Sequence, residues 1–166
     1  MKIIFKVFLI LLLGLSFWGC QNNSIEQYNE LSREHHEVVN NAFNVLNQSI
    51  SHYNDQDYNS AQAQSLECKN LFLQASDLSD RSIELAKNIK GKDWLVDFKK
   101  YSKQSENIRS SQCDLLYNLS IATVNKKDDE AQKLIQDISV LNDKYDKLQI
   151  ILEDIKNQHP ETFKNK

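Results

Sequence analysis

From Ser24 onward, apolar or small side chains return every three or four positions, at Ile25, Tyr28, Leu31, Val38, Ala42, Leu46, Ile50 and Tyr53. That spacing puts them on one face of a helix, with Ser24 as its N-cap. Asn54-Asp55-Gln56-Asp57 interrupts the rhythm, which resumes at Ala61, Cys68, Leu71, Ala75, Leu78, Leu85 and Ile89. Lys90-Gly91-Lys92-Asp93 is the next break. A third series runs through Trp94, Phe98, Tyr101, Ile108, Leu115, Leu119 and Ala122, followed by Asn125-Lys126-Lys127-Asp128. The fourth runs through Ala131, Leu134, Ile138, Leu141, Tyr145, Leu148, Leu152 and Ile155. Pro160 marks its end, because proline cannot continue a helix interior.

The pattern predicts an all-α fold with helices over 24–53, 57–90, 93–125 and 128–158. Each holds about 30 residues and reaches about 45 Å. The three short connections force neighbours antiparallel, which gives an up-down-up-down four-helix bundle. Heptad-like spacing also suits a coiled-coil stalk or a dimer of hairpins. Against that, each break carries an Asp placed to cap the next helix, so the chain is built to turn. The two halves resemble each other: Asn47-Gln48-Ser49-Ile50 leads to Asn54 and Asp57, and Asn118-Leu119-Ser120-Ile121 leads to Asn125 and Asp128 at the same spacing. Duplication of a hairpin and convergence on turn-forming residues both account for this.

Composition supports the reading. The chain has three glycines and one proline, and only Gly91 and Pro160 lie beyond the first twenty residues, too little punctuation for a many-turned β fold. A length of 166 residues fits one domain with a single core. The net charge is -3 and falls to -5 without Lys2 and Lys6. Nucleic acid is therefore not an expected partner, since its phosphates call for a basic stripe. Mean hydropathy is -0.57 despite a greasy start, so the body is strongly polar and rations its apolar residues to the helical rows.

Lys2 and Lys6 precede or flank an apolar stretch from Val7 to Leu13 that continues through Leu15, Phe17 and Trp18 to Gly19 and Cys20. This is the layout of an export leader, short for a permanent span of about 20 apolar residues. Leu15-Ser16-Phe17-Trp18-Gly19-Cys20 resembles the lipobox of prokaryotic lipoprotein precursors, with Gly19 and Cys20 in the matching positions and Phe17 and Trp18 departing from the usual Leu-like and small residues. The resemblance covers only the leader. It implies that residues 1–19 are removed and that Cys20 receives a diacylglyceryl group, holding 20–166 to the cell membrane or outer membrane on the extracytoplasmic side. Two acyl chains suffice for stable anchoring. An uncleaved signal anchor or an ordinary secretory leader are the alternatives, and both still export the body. Lysine at the extreme N-terminus, with no basic residue from 7 to 32, agrees with that orientation.

With Cys20 assigned to lipid, Cys68 and Cys113 remain. They lie 23 residues before and 22 after Gly91, so an antiparallel hairpin brings them to one height. In an oxidising compartment a disulfide is expected between them; the alternative is two buried thiols. The same topology gathers the N-terminus, the Gly91 turn and the C-terminus at one end. Lys87, Lys90, Lys92, Lys99, Lys100 and Lys103 cluster there, with Lys164 and Lys166 on the tail, and Cys20 to Ser24 spans at most about 14 Å. These lysines and Trp94 are expected to face anionic headgroups, unless the lysines simply solvate a helix end and Trp94 closes the base of the core.

No catalytic, metal or cofactor site is expected. His35 and His36 fall within Arg33-Glu34-His35-His36-Glu37, but neither Glu-x-x-His nor His-Glu-x-x-His occurs. Adjacent helical histidines diverge by about 100°, so one is expected to face solvent and the other the bundle edge. Asp77 and Asp80 share a helix face and read as solvated charge, as do Glu30, Glu34 and Glu37. The leading functional expectation is a non-enzymatic envelope module that binds another protein or an envelope polymer through its sides or distal turns. The alternatives are a small-ligand sensor or carrier, with its pocket where the core row weakens around Ser82, Ser105 and His35, and a self-associating coiled-coil stalk.

Overall fold

A computed structural model of the chain describes the backbone of residues 2–163 and the side chains of residues 23–163. Four long helices pack as the apolar rows predict: α1 (Lys2–Asn54), α2 (Tyr58–Ala86), α3 (Trp94–Val124) and α4 (Asp128–Gln158), with a short α5 (Pro160–Phe163) at the end. No strand occurs among the described residues. Helix α1 runs continuously over about 80 Å, so Ser24 lies inside it and is not an N-cap. Helix α2 stops at Ala86, four residues before its expected end, and residues 87–93 form the turn, with Gly91 at φ +72. Pro160 opens α5, where its missing N–H costs nothing.

The two distal turns share one backbone conformation. Asp55 and Asn125 bond back to Ser51 and Ile121, Asp57 and Lys127 to His52 and Ala122, and the left-handed positions are Gln56 (φ 63) and Lys126 (φ 53). The structural offset between the halves is therefore 70 residues, one less than matching Asp57 with Asp128 implies. Asp57 does cap α2, accepting from the Ser60 amide at 3.2 Å. Its counterpart is Lys127, which makes no side-chain cap, while Asp128 falls inside the first turn of α4. Asp93 precedes α3 without a side-chain cap bond. The expectation of an Asp cap at every break holds only for α2.

Two apolar clusters stabilise the bundle. The larger, toward the distal turns, joins Ala42, Val45 and Leu46 of α1 with Cys68 and Phe72 of α2 and Cys113, Leu116 and Leu119 of α3. Cys68 and Cys113 are joined by a disulfide, with Cα atoms 6.0 Å apart. The smaller cluster, at the Gly91 end, gathers Tyr28, Ala86, Ile89 and Leu95, with Trp94 packed against it. Small side chains let helices approach closely: Ser49 is fully buried, donating to the Ala61 carbonyl and meeting Ser65 Oγ at 2.7 Å. Its neighbour Ile50, placed in the core row by spacing, is 42% exposed.

Helix α4 is the loosest member. It lies along α3, and among the described residues no Cα of α4 comes within 8 Å of a Cα of α1. Of its residues only Leu152 is buried. The inward row Leu134, Ile138, Leu141, Tyr145 and Leu148 is half-buried; it lies along α3 and reaches α1 through side chains, with the Tyr145 and Phe43 rings edge to face at 6.5 Å.

Candidate functional site

Between the two apolar clusters the interior turns polar. His35 of α1, Ser79 and Ser82 of α2, and Ser102, Ser105 and Glu106 of α3 meet at one level. Their sequence signal is a gap: the α3 row jumps seven residues from Tyr101 to Ile108, and Ser105 and Glu106 occupy the interval. Buried polar atoms need partners, and most find them locally. Ser82 and Ser102 donate to the carbonyls four residues back, and Gln149 of α4 donates to Ser105 Oγ at 2.9 Å.

Glu106 is the centre of the layer. Its side chain is buried at 6% exposure. Oε1 faces His35 Nε2 at 2.5 Å and accepts from Ser79 Oγ at 3.2 Å, while Oε2 is buried without a partner among the described residues. Ser79 Oγ also lies 3.2 Å from the same His35 nitrogen. A Ser-His-acid relay needs the hydroxyl and the carboxylate on opposite nitrogens of the ring. Here both meet Nε2, so the trio holds the carboxylate in place instead of activating the serine. His35 faces the interior and His36 is exposed, bonded to Asn40 at 3.0 Å.

One turn along α3, the Arg109 guanidinium lies 3.5 Å from the centre of the Tyr145 ring and 5.5 Å from that of Phe43. Its NH1 donates to Gln112 Oε1 at 2.7 Å and Asn142 Oδ1 at 3.3 Å, clasping α4 to α3, but Nε is buried without a partner among the described residues. Because α4 stands off α1, this layer opens sideways. A cavity of about 160 Å³ lies against Glu106, Arg109, Phe98, Tyr145 and Leu152. A cleft of about 630 Å³ adjoins it toward the Gly91 end, bounded by α1, α3 and the α5 side chains Thr162 and Phe163. The two share His35, Phe98, Ser102 and Lys156 as a common wall. Sequence reasoning located the weakness at Ser105 and His35; Glu106 and Arg109 it did not single out.

Most residues of the expected membrane-facing set have partners within the bundle. Lys87 pairs with Glu84 at 2.6 Å, Lys100 with Asp97 at 3.2 Å and Lys103 with Asp80 at 2.5 Å. Lys92 reaches the Thr162 hydroxyl at 3.4 Å, and Lys90 is exposed. Lys99, grouped with the headgroup-facing lysines by its position, is instead 3% exposed, its ammonium 5.7 Å from the Tyr28 ring centre. Trp94 stacks flat on His159 at 4.1 Å and touches Phe163, closing the base of the core. The Cys20, Lys164 and Lys166 assignments lie outside the described side chains. Among the described residues no helix is long and apolar enough to cross a membrane, and no three His, Cys, Asp or Glu side chains gather as a metal needs. Comparison with protein-family models, with curated proteins and with solved structures yields no match.

Proposed function

We propose that this chain works outside the cytosol, tethered through an acylated Cys20, as a non-enzymatic helical bundle that binds a small molecule in the cleft between α1 and α4. The reading rests on the cavity beside Glu106: a buried carboxylate oxygen without a partner among the described residues, walled by aromatic side chains and adjoining a cleft of about 630 Å³. Concave, mostly apolar spaces of about 300–1,000 Å³ with a few converging polar groups are the usual form of a ligand site. The tether suits this arrangement. Cys20 and Tyr28 share α1, about 12 Å apart along its axis, and Tyr28 belongs to the cluster that closes the Gly91 end. The cleft opens at that same end.

The test is a thermal-shift screen of the full-length protein in detergent against neutral, cationic, anionic and zwitterionic metabolites. A ligand at 100 times its dissociation constant stabilises by about 2.7 kcal/mol, readily seen as a raised midpoint. A protein that responds to none of them is not a small-ligand binder.

A second reading, docking of another envelope protein or polymer, is favoured by the exposed apolar side chains of α4, where Ile135, Val140 and Ile150 are 52%, 51% and 62% exposed. Capture of a partner that Ile150→Lys abolishes, with no response in the metabolite screen, would decide for it.

A further inference from the structure

Resting on the cleft as a ligand site, the geometry points to its chemical class: we infer that it takes a zwitterion, a free α-amino acid with an apolar side chain of about leucine's size. Two unmet groups define the requirement. Glu106 Oε2 is a buried acceptor and Arg109 Nε a buried donor, three residues apart on α3 and therefore on neighbouring turns of one face. Both residues line the same cavity. Among the described residues Glu106 is the one carboxylate in its lining; Arg109 brings a cationic group, and Lys156 at the rim is already paired with Glu153 at 2.7 Å.

Each simpler ligand class meets an opposing group. A bare ammonium ion satisfies Glu106 but faces the Arg109 guanidinium. A bare carboxylate satisfies Arg109 but faces the unpartnered Glu106 oxygen. An apolar molecule leaves both polar atoms buried and unpaired, which is the costly outcome. An ammonium and a carboxylate carried on one carbon answer the acceptor and the donor together, and Phe43, Phe98, Tyr145 and Leu152 offer an apolar wall for the side chain. The space equals roughly five waters' share of liquid volume, which sets the size of the buried part. The adjoining cleft at Ser102 is the entrance.

The experiment is calorimetric titration of the full-length protein in detergent with L-leucine, 3-methylbutylamine and 4-methylpentanoate, which share one apolar body and differ in their charged groups. Leucine is expected to bind at least tenfold tighter than either fragment. Glu106→Gln is expected to weaken leucine and the amine at least tenfold while leaving the carboxylate fragment unchanged. Arg109→Lys, which retains charge but loses the Nε donor, is expected to show the opposite preference. Far-UV circular dichroism checks that each variant is folded, and if Glu106→Gln is not, Arg109→Lys decides. Equal binding of a fragment and leucine overturns the zwitterion assignment. So does unaltered leucine affinity in a folded variant, or cleft binding by another chemical class with none by amino acids; these leave the cleft reading standing. No binding by any class in the metabolite screen overturns both.

Discussion

Breaking the Cys68–Cys113 bridge isolates one term of the stability. The bond closes a loop with a sequence separation of 45, and the loop-closure entropy it removes from the unfolded chain corresponds to about 4 kcal/mol at 25 °C. Both cysteines are fully buried in the main core beside Phe72 and Leu116. As thiols they remain small apolar fillers, so the folded state changes little and the effect falls on the unfolded ensemble. The clean comparison is urea unfolding of the oxidised protein against protein unfolded and refolded in reductant, with identical side chains in both arms. A chain of this size has a slope of about 2 kcal/mol per molar urea, so about 4 kcal/mol moves the midpoint down by about 2 M. The reduced slope is also expected to be steeper, because an unlinked chain exposes more surface. Midpoints within about 0.5 M of each other would mean that the bridge does not act through the unfolded chain in this way.

Three further outcomes test the fold. Burial pushes the Tyr28 hydroxyl up to about 12 from 10.0, with the Ser32 hydroxyl offsetting part of the rise. The folded state therefore holds a proton that the unfolded chain releases, and stability falls as pH rises from 10 to 12, by about 3 kcal/mol in total. Tyr28→Phe should lack that increment when the two proteins' urea midpoints are compared across the interval. Lys127 has φ -95 and ψ 72, close to the φ -85 and ψ 71 of the capping Asp57. Lys127→Asn should accordingly gain about 1 kcal/mol, a rise of about 3 °C by calorimetry. At Gly91 a Cβ would meet nothing within 4 Å, yet φ is +72. Gly91→Ala should cost about 1–2 kcal/mol from the backbone alone, read from the urea midpoint.

Much of the architecture was legible because helical rows report which face turns inward. Leu134, Ile138, Leu141, Tyr145, Leu148 and Leu152 of α4 all do so, and counting from Gly91 set Cys68 opposite Cys113. What spacing cannot report is how closely two helices approach. Ser49 and Ser65 let α1 and α2 pack with serine inside and Ile50 outside, whereas α4 stands away from α1 with an ordinary apolar row. That separation creates the cleft, and nothing in the rows announces it. The polar layer was visible only as a gap between Tyr101 and Ile108, not as the particular pair Glu106 and Arg109. Lys99 reads as surface because it is a lysine, yet it is buried with its ammonium 5.7 Å from the Tyr28 ring centre. The turn repeat was misaligned by one residue because matching Asp with Asp ignores the left-handed positions that Gln56 and Lys126 share.

Where the bundle operates is tested most directly by the intact mass of the protein extracted from the membranes of its own cells. The expected species lacks residues 1–19, is heavier by a diacylglyceryl group on Cys20 and lighter by two hydrogens at Cys68 and Cys113. A mass equal to the full chain, Met1 to Lys166, unmodified and with all three thiols free, would contradict it.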